Sequence, residues 1–136
     1  MNPSLYQMVS IGGEGDIVAA RRAVREAAQA VGFGLTDTTR IVTAASELAR
    51  NICKYAGAGV MHVRHVERDD RAGLELDFVD KGPGIEDLEK AMEEGFSTSG
   101  GLGLGLPGSK RLMDEMDVRS TAGRGTTVSV RKWLRS

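Results

Sequence analysis

The chain has a single cysteine, no excess of either charge and no long apolar run. Each of these lacks removes a class of protein. One cysteine among 136 residues cannot close an intrachain disulfide, so a reducing cytoplasm is the expected compartment. Eighteen Lys and Arg stand against 19 Asp and Glu, a net charge of -1. A protein that held nucleic acid or an anionic membrane through bulk charge would carry a basic balance, so neither partner is expected. No stretch approaches the roughly 18 apolar residues of a membrane span, and no charged-then-apolar leader opens the chain. Apolar residues at 40% and charged residues at 27% match an ordinary soluble globule. The length suits one domain, residues 1–136, with no room for a substantial second one.

What the chain has in excess is glycine. Eighteen are present, where a typical frequency of roughly 7% gives about ten. Five of them, Gly100, Gly101, Gly103, Gly105 and Gly108, fall within nine residues. Two more lie in Asp80-Lys81-Gly82-Pro83-Gly84 and two in Gly123-Arg124-Gly125. A linker would be Gly/Ser-rich throughout. These clusters are interleaved with patterned apolar segments, so they read as backbone that bends tightly or approaches something closely.

Periodicity orders the rest. Residues 5–11 alternate as a strand. A first helix, with Asp16 as its cap, runs on the stripe Ile17, Ala20, Val24, Ala27, Val31, with Arg21, Arg22 and Arg25 off it and Gly32 and Gly34 at its end. Residues 36–56 form a second helix with Ile41, Ala45, Leu48, Ile52 and Ala56 on one face. Residues 60–67 and 74–79 read as a hairpin around the polar turn Arg68-Asp69-Asp70-Arg71. A short acidic helix is expected over 85–94, a loop over 96–104, and a helix over 106–116 opened by Pro107. Strands over 118–121 and 126–133 close the chain. The order β-α-α-β-β-α-α-β-β implies a two-layer α+β sandwich, a largely antiparallel mixed sheet with helices on one face.

The glycine run invites three phosphate-loop labels, and context removes each. Gly103-Leu104-Gly105-Leu106-Pro107-Gly108 fits the dinucleotide pattern but lacks the preceding strand and the βαβ unit around it. Gly103 to Lys110 nearly spells a P-loop, but Ser109 and Lys110 stand in the wrong order. A protein-kinase glycine loop needs downstream motifs that this chain does not have. The physical content survives: a glycine-rich loop entering a helix offers unpaired N–H groups to an anion.

Other residues could complete such a site. Glu47 and Asn51 are four apart and share a helix face. A carboxylate and an amide oxygen one turn apart can supply a proton acceptor and a ligand for a hard cation such as Mg²⁺. Asp80 ends a strand, where it can be a turn former or a buried acceptor for a ligand N–H. Gly123-Arg124-Gly125 reads as a hairpin turn, after which Thr126 or Thr127 can point a hydroxyl at a ligand. His62 and His65 lie three apart on a strand, on opposite faces, which argues against a shared metal. Cys53, Met113 and Met116 read as packing residues.

Taken in order, Glu47-Leu48-Ala49-Arg50-Asn51, Asp80-Lys81-Gly82-Pro83-Gly84-Ile85, Gly101-Leu102-Gly103-Leu104-Gly105 and Gly123-Arg124-Gly125-Thr126-Thr127 resemble the N, G1, G2 and G3 boxes of the GHKL (Bergerat-fold) ATP-binding superfamily. The short segment between the second and third boxes and the stretch GLGLGLPGSKRLMDE resemble its small anti-sigma-factor and switch-protein serine kinases of the stressosome pathway.

That resemblance implies ATP or ADP with Mg²⁺ as ligands. It casts Asn51 as the Mg²⁺ ligand and Glu47 as the base for the attacking hydroxyl, with Asp80 taking a hydrogen bond from the adenine amino group. Gly82 and Gly84 would admit the nucleotide, Gly101, Gly103 and Gly105 would wrap its phosphates, and Thr126 or Thr127 would support the adenine pocket. Lys54 and Lys110 are candidate γ-phosphate cations. Glu47 separates the chain from histidine kinases, which carry Asn there and also need a phosphoacceptor helix. The implied activity is Ser/Thr phosphorylation of a STAS-domain partner. The alternative is a nucleotide-binding module that docks on a phosphatase of the PP2C type, or on a sigma factor, with little turnover. The arginine face of the first helix is either a docking surface or a solvated one.

Overall fold

The computed structural model describes residues 6–84 and 106–135. Its elements are β1 (Tyr6–Ile11), α1 (Glu14–Val31), α2 (Leu35–Asn51) continued by a π-helical turn (Ile52–Ala56), β2 (Gly59–Arg68), β3 (Arg71–Asp80), α3 (Leu106–Leu112), β4 (Glu115–Thr121) and β5 (Gly125–Trp133). The strands form one sheet in the order β1-β2-β3-β5-β4. All four pairings are antiparallel, so among the described residues the expected mixed character gives way to a purely antiparallel sheet. The acidic helix expected over 85–94 and the loop over 96–104 lie outside the described residues.

The period of two sorts the sheet. Ile11, Met61, Val63, Leu74, Leu76, Phe78, Val128 and Val130 face one way and join the buried residues of α1 and α2 in one core. The opposite face is ionic: Arg131 reaches Glu75, Glu115 and Asp117, and Arg64 pairs with Glu75 and Asp77. A sheet apolar on one face and charged on the other buries one side only, which gives the two-layer sandwich.

Helix α1 begins at Glu14, two residues before the expected cap. Asp16 lies inside its first turn, where its Oδ2 accepts the Gly12 N–H at 2.8 Å. The buried stripe is Ile17, Ala20, Ala23, Val24 and Ala28, and Arg21, Arg22 and Arg25 are exposed. The β2–β3 turn needs two left-handed residues, supplied by Asp69 (φ 53°) and Asp70 (φ 63°), the backbone of a tight hairpin.

The last helix is shorter than the periodicity of 106–116 suggests. It stops at Leu112 because the following residues bond to β5 instead. The buried Lys132 ammonium donates to the Leu112 carbonyl at 2.9 Å. The Asp114 N–H donates to the Arg131 carbonyl at 2.9 Å, and the Asp114 carboxylate accepts the Trp133 N–H at 2.8 Å. Strand β4 therefore starts three residues earlier than expected, at Glu115. Met113 is buried and Met116 and Cys53 pack against the core, as their types suggest. Burial pushes the Cys53 thiol up from its ordinary value.

Candidate nucleotide-binding site

A cavity of about 160 Å³ opens where the C-terminal end of α2 faces the ends of β3 and β5. Helix α2 and the turn after it supply Leu48, Asn51, Ile52, Tyr55 and Ala56. The sheet supplies Phe78, Asp80, Thr126 and Val128, and Pro83, Gly84 and Leu106 complete the wall.

Local sequence explains each contribution. At the end of α2 the Gly57 N–H reaches back five residues to the Ile52 carbonyl at 2.8 Å. This π-helical turn interrupts the α-ladder, a feature that recurs at functional sites. On the sheet, Phe78 and Asp80 are two apart on β3 and pair with Val128 and Thr126 on β5, so all four project to the helical side. By the same pleat Thr127, paired with Val79, faces the other side and is not brought to the cavity.

Asp80 is fastened at one oxygen. Its Oδ1 accepts the Gly82 N–H at 2.8 Å and the Thr126 N–H at 3.3 Å, so one carboxylate ties the 81–84 segment to β5. That segment is locked from the other side as well, because the Gly123 N–H donates to the Pro83 carbonyl at 2.6 Å. Two glycines permit the packing. Gly84 (φ +78°) lies under the Thr121 carbonyl and Gly125 (φ +124°) under the Asp80 carbonyl, and a Cβ on either would collide with that backbone.

Glu47 lies one turn before Asn51 on α2 but does not line the cavity. Its side chain is 47% exposed and pairs with Arg50 at 3.2 Å. The Lys54 ammonium lies 5.3 Å from the centroid of the Tyr55 ring, and Lys110 is exposed on α3. Gly101, Gly103 and Gly105 lie outside the described residues. His62 and His65 face opposite sides of β2. His62 accepts the Tyr6 hydroxyl on the outer face at 2.6 Å, if its Nδ1 is unprotonated. His65 lies on the core face opposite Leu74, where burial pushes its pKa down.

The residues present suit a nucleotide. Leu48, Ile52, Phe78, Leu106 and Val128 make apolar walls for a flat base, and Asp80 gives the cavity a polar end. Asn51 brings an amide to the rim. No group of three or more His, Cys, Asp or Glu that could hold a metal exists among the described residues, so a cation here would take most of its ligands from phosphate and water. The sequence reading missed Tyr55, Phe78 and Leu106. Phe78 had a signal, since it stands two residues before Asp80 on the same strand face.

Residues 14–132 match the model of the histidine kinase-like ATPase domain family. The chain belongs to this family. A histidine kinase-like ATPase domain takes ATP and ADP as its ligands. Over 127 residues it is 55% identical to the serine/threonine-protein kinase RsbT of Bacillus subtilis strain 168, covering 93% of this chain and 96% of that one. It is 33% identical to an anti-sigma F factor of Caldanaerobacter subterraneus subsp. tengcongensis, over 85% of this chain and 83% of the relative. The fold matches a crystal structure of the RsbU and RsbW domains of Rv1364c from Mycobacterium tuberculosis with a TM-score of 0.66. At 17% identity that likeness speaks to fold alone; it covers 96% of this chain and 33% of that one. Among the described residues, no helix is long and apolar enough to cross a membrane.

Proposed function

We propose that this family member is an ATP-dependent serine/threonine protein kinase of a partner-switching pathway, that residues 1–136 form one ATP-binding domain, and that the cavity beside Asp80 is its nucleotide site. The observation that carries the site is Asp80 itself. Its Oδ1 is held by two backbone N–H groups, and its Oδ2 remains as an acceptor at the end of an apolar slot. That arrangement suits an exocyclic amino group on a flat base, with Thr126 beside it.

In this reading Asn51 would hold Mg²⁺ through its amide oxygen, and the chemistry such a cation would supply there is charge neutralisation on the phosphates. Gly82 and Gly84 let the nucleotide approach the backbone, and Gly101, Gly103 and Gly105 wrap its phosphates. Glu47 accepts the proton of the attacking serine or threonine hydroxyl. Phosphoryl transfer needs mainly positioning and charge neutralisation, which a small domain can supply. The substrate is a STAS-domain regulator of a stressosome-type pathway, and the compartment is the cytoplasm. Support comes from the name of the 55% identical relative and, for the compartment, from the single cysteine. The experiment is transfer of label from ATP·Mg²⁺ to a STAS-domain protein. Glu47→Gln should abolish transfer while ADP still binds, and persistent transfer removes Glu47 as the base.

One observation favours a second reading. Glu47 is turned to Arg50 rather than into the cavity, which suits a nucleotide-binding module that docks on a PP2C-type phosphatase or a sigma factor with little turnover. Binding of such a partner without ATP, together with absent label transfer, would select it.

A further inference from the structure

Ser120 on β4 stands directly opposite Thr126 on β5, on the sheet face that carries the cavity, yet it does not line the cavity. Its hydroxyl donates to the Gly125 carbonyl at 3.1 Å and lies 2.8 Å from the Thr126 hydroxyl. A carbonyl cannot donate, and a serine hydroxyl has one hydrogen. That hydrogen goes to Gly125, so between the two hydroxyls Thr126 donates and Ser120 accepts. Thr126 therefore turns lone pairs, not its hydrogen, toward the cavity. Asp80, its partner across β3 and β5, also lines the cavity, and its two backbone bonds fall on Oδ1, which leaves Oδ2 as an acceptor. The polar end of the slot is a pair of adjacent acceptors.

We propose that Ser120 is a positioning residue that sets the base preference of the slot: by holding the Thr126 hydrogen, it makes the site accept a purine with an amino group at position 6 and refuse one with an oxo group there. The inference rests on the nucleotide reading of the cavity. An amino group brings hydrogens to two waiting acceptors. An oxo group brings a third acceptor, and with Ser120 in place neither Asp80 nor Thr126 has a side-chain hydrogen to give it. Leaving a buried polar contact mismatched is costly, which is why such contacts discriminate strongly. Without the Ser120 hydroxyl, Thr126 can rotate its hydrogen into the slot and donate to the oxo group.

The test is calorimetric titration of the full chain with ADP and with inosine diphosphate. Wild type should prefer ADP by about tenfold or more. Ser120→Ala should narrow that preference at least about fivefold, mainly by gaining affinity for inosine diphosphate, because a newly satisfied polar contact has about that value. Ser120→Thr keeps the hydroxyl and should keep the preference. In a Thr126→Val background Ser120→Ala should change nothing, an absence of effect that a general loosening of the sheet would not produce. If Ser120→Ala does not fold, Thr126→Val alone carries the test: a narrowed preference supports the proposal and an unchanged one overturns it. An unchanged preference in folded Ser120→Ala overturns the role of Ser120 while ADP binding stands. No ADP binding by wild type overturns the nucleotide reading itself.

Discussion

Asp80→Asn separates the ligand-facing oxygen of Asp80 from its structural one. Asparagine keeps a carbonyl oxygen where Oδ1 accepts the Gly82 and Thr126 N–H groups at 2.8 and 3.3 Å. It places an amide NH₂ where Oδ2 stood, and so presents a donor to a donor. A hydrogen bond to a charged acceptor contributes about 1.5–3 kcal/mol, so ADP should bind about 10- to 150-fold more weakly. Stability should hardly move, because both backbone N–H groups keep their acceptor. Asp80→Ala differs on that second axis: it orphans those two donors and should cost about 1–3 kcal/mol of folding stability as well. Calorimetric ADP titration reads the first effect and urea unfolding the second. If Asp80→Asn bound ADP within about twofold of wild type, Oδ2 would not be a base contact and the slot would not be the adenine site. If Asp80→Ala proved as stable as Asp80→Asn, the two backbone bonds would contribute nothing.

Further outcomes follow from the packing. Gly125→Ala should destabilise the protein by at least about 2 kcal/mol, since its φ of +124° is strained for any side chain and the Cβ has no room under the Asp80 carbonyl; a urea midpoint unchanged from wild type would refute this. Lys132, only 4% exposed, bonds the Leu112 carbonyl and lies 3.7 Å from Asp114 and 3.9 Å from Asp37. Lys132→Met should therefore cost about 2 kcal/mol, and a loss below about 0.5 kcal/mol would show that these contacts are replaceable by packing. Burial lowers the His65 pKa in the folded state, so as pH falls through about 6.5 the unfolded chain takes this proton first. That stability is fully present above pH 6.5 and is lost as the pH falls toward the folded value. His65→Leu should flatten the fall in urea midpoint between pH 7.5 and 5.5, and an unaltered slope would assign the fall elsewhere. Glu115 acts in a separate acid window: the Arg68 hydrogen bond, against some burial, holds its carboxyl below the usual range, so its share is lost only as pH falls below about 4.5.

Local pattern carried the sequence reading a long way. The alternation of 74–79 and 126–133 placed β3 and β5, and the stripe through Ile41, Ala45, Leu48 and Ile52 placed α2, because periods of 2 and 3.6 are written directly in side-chain polarity. The spacing of Glu47 and Asn51 was equally local. Local pattern failed where distant contacts decided. The end of α3 could not be read from 106–116, whose apolar spacing continues, because Lys132 and Arg131 of β5 end the helix from across the fold. The choice between Thr126 and Thr127 stayed open until β5 was registered against β3, since one step along a strand reverses the side chain.

The order of the described elements, the helical arrangement of Glu47 and Asn51 and the positions of the glycine clusters were all determined by the sequence alone, because each is a property of a few neighbouring residues. Tertiary structure alone decided that Asp80 shares one oxygen between Gly82 and Thr126, that Gly84 and Gly125 each sit under another segment's carbonyl, and that the Ser120 hydroxyl lies within hydrogen-bond reach of the Thr126 hydroxyl. Those are contacts between residues up to 46 positions apart. Only the packing of β3, β4 and β5 sets the distances on which a hydrogen bond or a steric collision depends.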